Sequence, residues 1–304
     1  AGARIFNTAR DRASLSLSNL ILTGGSGDLG GTIRAGGSVA LSRVEIHNSQ
    51  ATQAGGAIYL EGTASTLSLD QTLIDSSQAP VGSVVSMSCL DNLTYVKRNL
   101  TFTNSSIINN GSASSTSAIY LCGLPTASFT SVTIGKNTVS SAPRSGVISF
   151  QDDGSARVLG QLIGADFSSL SLLSSTLMEN TGNGLVYDGV GTLTLNNNVL
   201  AFSKSGKSCA YVGTAPLYNM TGVGQVRNMI SSNAAHGICD LPGTKKAGAK
   251  TDTAADYEPN PSNVDAAATT QAALFRPLAD YGAFLPGFLP IRNYTGGTLP
   301  AGVV

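Results

Sequence analysis

Two adjacent aspartates, Asp152 and Asp153 in FQDDGSAR, come closest to a catalytic arrangement in this 304-residue chain. With Asp166, Arg144 and Arg157 nearby, they offer the carboxylates and neutralising cations that glycoside hydrolysis or polysaccharide elimination requires. They lie in the longest interval between the repeats described below, where a cleft has room to form. Asp-Asp-Gly is also an ordinary turn, and the turn is the preferred reading, with the catalytic one as the alternative. Little else in the chain suits acid–base work, since it has two His, no Trp and only 12% charged residues. No CxxC pair occurs and only His236 lies near a cysteine, so neither a metal site nor a cofactor is expected. Eighteen acids balance eighteen bases with no basic stripe, which argues against nucleic acid as a partner.

The elements that must position these residues are short. Hydrophobic residues make up 41% of the chain and fall in brief runs between Gly, Ser, Thr and Asn, the pattern of many strands separated by turns. No run approaches the roughly 18 apolar residues of a spanning helix, so no transmembrane segment is expected. The stretch GGAIYLEG, with its second glycine at Gly56, has counterparts anchored at Gly31, Ser83, Ser117, Gly146, Gly184, Ser208 and Gly237. Their spacings of 25, 27, 34, 29, 38, 24 and 29 residues describe a repeat of fixed parts with variable loops. The glycines Gly31, Gly56, Gly146, Gly184 and Gly237 are read as coil corners that allow positive φ and close approach of the next coil.

A second motif runs between these copies: LSLSNLIL from Leu15, LSLDQTLIDS from Leu67, LTFTNSSIINN from Leu100 and LTLNNNVLAFS from Leu193 are examples. Apolar residues alternate, and Asn or Ser at the fifth position marks a bend between half-buried strands. One such unit cannot bury its own apolar face, whereas stacked units share a core. The expected fold is therefore all-β, a right-handed parallel β-helix of about eight coils over residues 1–242. Leu41, Leu69, Phe102, Phe129, Leu172 and Leu195 form one inner column and Ile46, Ile74, Ile107, Ile134, Leu177 and Leu200 another. Tyr59, Tyr120, Tyr187 and Tyr211 fall in the glycine-motif strand, where stacking between coils accounts for them before sugar binding does.

GGAIYLEG and LTFTNSSIINN together resemble the repeats of right-handed parallel β-helices in bacterial polymorphic outer-membrane proteins and related surface proteins, over residues 10 to 242. LFRPLADYGAFLPGFLP, from Leu274 to Pro290, is similar to the ending of bacterial β-helix surface proteins with a CSLREA or choice-of-anchor Q region. The usual Ala-Ile-Asp-Ala-Gly close is replaced by YTGGTLPAG, and no CSLREA motif is present. The resemblance implies export and a surface role, and carries over no catalytic residue. Parallel β-helices also include polysaccharide lyases and hydrolases, which keeps an enzyme in view. Against this, AHGICD around His236 lacks the first Gly and the downstream Arg-x-Lys of the pectin-degrading motif it resembles.

Cysteine placement points to the same compartment. Cys89 and Cys122 sit at nearly the same place on adjacent coils, as do Cys209 and Cys239, so disulfides Cys89–Cys122 and Cys209–Cys239 are expected in an oxidising environment. Four buried thiols are the alternative. Six Asn-x-Ser/Thr sequons occur, at Asn92, Asn99, Asn104, Asn110, Asn219 and Asn293. Residues 243–272 read as a linker or long loop, and residues 273–304 as a proline-rich packing, capping or assembly segment with Phe275, Tyr281, Phe284, Phe288 and Tyr294 as the assembly candidates. The expected function is a non-enzymatic secreted or cell-surface structural protein that self-assembles into a fibre or layer through its solenoid ends and C-terminal tail, or meets other surface components. A glycan-binding adhesin and a β-helix lyase or hydrolase are the alternatives.

Overall fold

A computed structural model describes residues 3–62, 64, 66–89, 98–123, 125–151, 157–158, 161–162, 168–188, 192–212, 225–231, 237–239, 244–245, 257–258, 263–280 and 285–288. The chain forms a parallel β-solenoid of about seven turns, almost without helix. One side of the coil is an eight-stranded front sheet that includes Ile33–Ala35, Ile58–Leu60, Val85–Met87, Ser117–Cys122, Gly146–Gln151 and Leu185–Asp188. The other side is a 15-stranded sheet bent into two arms. Strands such as Thr66–Asp70 and Arg98–Thr103 make the first arm, and Leu73–Asp75 and Ser106–Ile108 the second. In the first two coils the arms are continuous, as Leu15–Thr23 and Val39–His47.

The bend between the arms is built at the fifth position of the second motif. Asn19, Arg43, Gln71, Asn104, Ser131, Ser174, Asn197 and Arg227 each take positive φ there, between 47° and 58°. One left-handed residue turns the chain and aims the next side chain into the core. A second left-handed residue ends the second arm, at Asn48, Ser76, Asn109, Lys136 and Glu179 among others. Turning the strand this way takes backbone N–H groups out of the ladder, and buried polar side chains capture them. Asn110 and Asn137 accept through Oδ1 from the backbone N–H of Ser77 and Asn110, at 2.9 and 3.0 Å, and Asn180 does so for Asn137 at 3.0 Å. Asn198, Asn228 and Asn263 form an equivalent ladder at the other bend, each accepting from the coil before.

Between the ladders the core is apolar. Leu41, Leu69, Phe102, Phe129, Leu172 and Leu195 lie in register on successive strands, as do Ile46, Ile74, Ile107, Ile134, Leu177 and Leu200, and all are buried. Phe102 and Phe129 stack with centroids 4.4 Å apart. The glycine pairs divide their work. Gly55 has φ of 68°, while a Cβ on Gly56 would stand 2.1 Å from the carbonyl oxygen of Ser83 in the next coil. Gly31 and Gly184 make similar close approaches to Gly56 and Ser208, whereas Gly146 faces the Val186 side chain and Gly237 has φ of 76°.

The repeat register differs from the sequence alignment at two steps. Cys209 pairs with Cys239, so Ile238, not Gly237, stands opposite Ser208. Ile148 pairs with Leu185, so Asn183, not Gly184, stands opposite Gly146. A slip of one residue exchanges the faces of a strand. Tyr187 consequently points inward and stacks between Phe150, at 4.8 Å, and Tyr211, at 6.3 Å. Tyr59 and Tyr120 do not stack: they share an outward column but are separated by the coil that carries Ser86.

The solenoid sheet extends beyond residue 242, because Val264–Asp265 pairs in parallel with Met229–Ile230. From there a strap runs back over the outside of the second arm. Leu274 joins Met178, Ala201, Phe202, Met229 and Ala266 in one cluster against which Phe275 and Phe288 pack, and Leu278 joins Leu73 and Ile108 in another. Ser106 Oγ donates to the Pro286 carbonyl at 2.6 Å, and Gln271 Nε2 to Glu179. At the other end, Leu15–Thr23 pairs with Val39–His47 and has no strand on its far side among the described residues.

Candidate functional site

The front sheet supplies a groove on its outer face. Its floor is the outward column Tyr59, Ser86 and Tyr120, set by the in-register pairing of three successive strands. Leu29, Ala54, Val81, Thr116 and Ser145, each on its own coil, form one wall. Ser88, Cys89 and Gln151 form the other. The groove encloses about 470 Å³ and follows the solenoid axis over five coils.

Several contacts fix its side chains. Tyr120 donates from its hydroxyl to Gln151 Oε1 at 3.1 Å, and Cys89 Sγ lies 3.6 Å from the Tyr120 hydroxyl oxygen. Cys89 is disulfide-bonded to Cys122, with Cα atoms 4.7 Å apart, so the bridge ties one wall to the strand that carries Tyr120. Burial, with the charge of Glu61 behind it, pushes the Tyr59 hydroxyl above its usual pKa and keeps it a neutral donor. Arg144 at the mouth is the charged lining residue, and Asp188 holds its guanidinium at 3.2 Å. No carboxylate lines the groove among the described residues.

Beneath this face lies Arg98, a cation 1% exposed. Its guanidinium donates to the carbonyls of Ala64, Ser88, Leu60 and Glu61, at 3.1, 2.5, 3.2 and 2.8 Å. Desolvation lowers its pKa to about 10, which leaves it charged at neutral pH. Arg98 thus acts as a four-carbonyl clasp between coils rather than as a site for anions. On the second arm, His47 sits between Asp75 at 2.5 Å from Nδ1 and Glu45 at 2.9 Å from Nε2. Burial works against its charged form, yet both hydrogen bonds and both carboxylate charges outweigh that and raise its pKa above 6.5. The two carboxylates engage opposite ring nitrogens and do not converge. Among the described residues no His, Cys, Asp and Glu group is arranged to hold a metal.

Cys89–Cys122 and Cys209–Cys239 are bonded as the spacing predicts, and the second pair also forms a parallel bridge between coils. Asp152, Asp153, Asp166 and His236 lie outside the described residues. Arg157 lies in the two-residue strand Arg157–Val158, antiparallel to Gln161–Leu162. Of the tail aromatics, Phe275 and Phe288 pack on the chain's own second arm, and Tyr281, Phe284 and Tyr294 lie outside the described residues. Among the sequons, Asn99 and Asn104 are exposed, but Asn110 is 1% exposed and committed to the corner ladder, so the folded chain offers it to no glycosylating enzyme. Asn92, Asn219 and Asn293 lie outside the described residues. The sequence reading missed the groove. Its signal was Tyr at the third residue after Gly56 and Ser117 with Ser86 between them, which acquires meaning only when coils are stacked.

No known family, curated protein or solved structure matches the chain. The fold and its two disulfides are compatible with an extracellular protein, and no described helix is long and apolar enough to cross a membrane.

Proposed function

We propose that the protein is a secreted or cell-surface structural protein, non-enzymatic, that self-associates through the N-terminal end of its solenoid. The resemblance of its repeats to those of bacterial β-helix surface proteins supports the surface role. The observation that carries the assembly reading is the bare edge Leu15–Thr23. On its outer side this nine-residue strand has no paired strand among the described residues, and Leu20 and Ile21 are 41% and 69% exposed. Such an edge is a template for another strand, and a second copy brings one of matching length and polarity. The tail is less available for this role, because Phe275 and Phe288 are engaged on the chain's own second arm.

Light scattering over a wide concentration range, with negative-stain electron microscopy, tests the reading. The wild type is expected to gain mass with concentration up to a dimer and to show rods joined in pairs at one end. The double variant Leu20→Lys/Ile21→Lys, which sets like charges against each other at the joint, is expected to stay monomeric with an unchanged melting temperature. A wild type that is monomeric throughout overturns the proposal.

A further inference from the structure

Beyond assembly, we infer that the groove over Tyr59, Ser86 and Tyr120 binds a linear, uncharged glycan lying along the solenoid axis. Shape comes first. The lining runs from Leu29 on one coil to Gln151 four coils further on, and at about 4.8 Å per coil this is a trough roughly 19 Å long. An extended chain fits a trough; a compact metabolite does not need one. Chemistry comes second. Two tyrosine rings two coils apart, about 10 Å by the same spacing, give two apolar platforms at the step of alternate units in an extended sugar chain. Between and beside them lie the hydroxyl of Ser86 and the amides of Gln53 and Gln151, which can exchange hydrogen bonds with sugar hydroxyls.

Charge selects among glycans. An acidic polysaccharide would call for unpaired cations along the trough. The lining offers Arg144 alone, at one end and already paired with Asp188, while the other nearby cations are bound elsewhere: Arg34 to Glu61 at 2.6 Å and Arg98 to its four carbonyls. A desolvated carboxylate along the floor would meet no compensating charge, whereas a neutral chain loses nothing there.

Calorimetry and affinity electrophoresis with cello-, xylo-, manno- and malto-oligosaccharides, and polygalacturonate as the acidic comparator, test the inference. One neutral series is expected to bind, more tightly with chain length until the trough is filled, and with little change between about 50 and 500 mM salt. Tyr59→Ala and Tyr120→Ala should each weaken binding roughly tenfold. Both side chains are outward-facing, so circular dichroism and intact disulfides should certify the fold. Tyr120→Phe, which keeps the ring, should retain most of the affinity. Absence of binding by every neutral series, salt-sensitive binding of polygalacturonate alone, or undiminished affinity in both alanine variants overturns the inference. Shortening of the bound oligosaccharide that disappears in Asp152→Asn/Asp153→Asn would uphold the groove but overturn the non-enzymatic reading, and neither result depends on whether the rods associate.

Discussion

His47 donates to both carboxylates at once only while its ring is charged, because its two nitrogens face carboxylates from different coils, Glu45 on its own strand and Asp75 on the next. Its pKa is raised on folding, so the stability it contributes is fully present below about pH 6.5 and is lost as pH rises through the folded value. His47→Gln should therefore lower the melting temperature most at acid pH, and the gap from wild type should close as pH rises; an equal gap at all pH would contradict this. The corner ladders make a second residue-scale demand. Asn137→Ala removes the acceptor of the Asn110 N–H and the donor to the Ile107 carbonyl in a buried corner, and should cost on the order of 3 kcal/mol in urea unfolding. Asn99→Ala, an exposed change on the first arm, should stay within about 0.5 kcal/mol.

Each element in the stack contacts only its neighbours, so a staple between adjacent coils acts locally. Removing Cys89–Cys122 or Cys209–Cys239 as a serine pair should cost about 3 to 4 kcal/mol in the chain-entropy account, since they close loops of 33 and 30 residues. Hydrogen exchange should rise near the missing bridge and little elsewhere, and loss of Cys89–Cys122 alone should weaken the groove by freeing the wall at Cys89 from the strand that carries Tyr120. The strands and inner columns were legible in the sequence because alternation with period two survives any loop length. The bends were legible in part, since Asn19, Asn104 and Asn197 are of a type that favours the left-handed region, whereas Arg43, Gln71 and Arg227 take it without that preference. The register at Leu185–Asp188 was not, because Asn183 takes a place that glycine holds in other copies, meeting the Ser145 carbonyl through its amide at 2.8 Å. Arg98 was equally hidden: nothing local distinguishes it from a solvated arginine, and the carbonyls that hold it come from residues up to 38 positions away. The groove exists only between coils, so no single repeat displays it.

At the scale of the molecule the two ends differ. The N-terminal edge is backbone and aliphatic surface without a fixed charge on its exposed side chains Leu20 and Ile21, so rods joined there should hold together as salt is raised, in contrast to a joint made by ion pairs. The strap has a consequence in time. Its landing surface is assembled from side chains as distant in the chain as Leu73, Ile108, Met178, Phe202 and Met229, and so it does not exist until the coils between them have stacked. A chain emerging from a ribosome or a translocation pore can lay down coils one after another, but the strap has nowhere to settle before the last of them is in place. Until then a stripe of methionine and phenylalanine faces water, the kind of surface that chaperones and proteases grip. Concealing that stripe coincides with completing the rod, so a stalled or clipped chain carries its own mark of incompleteness.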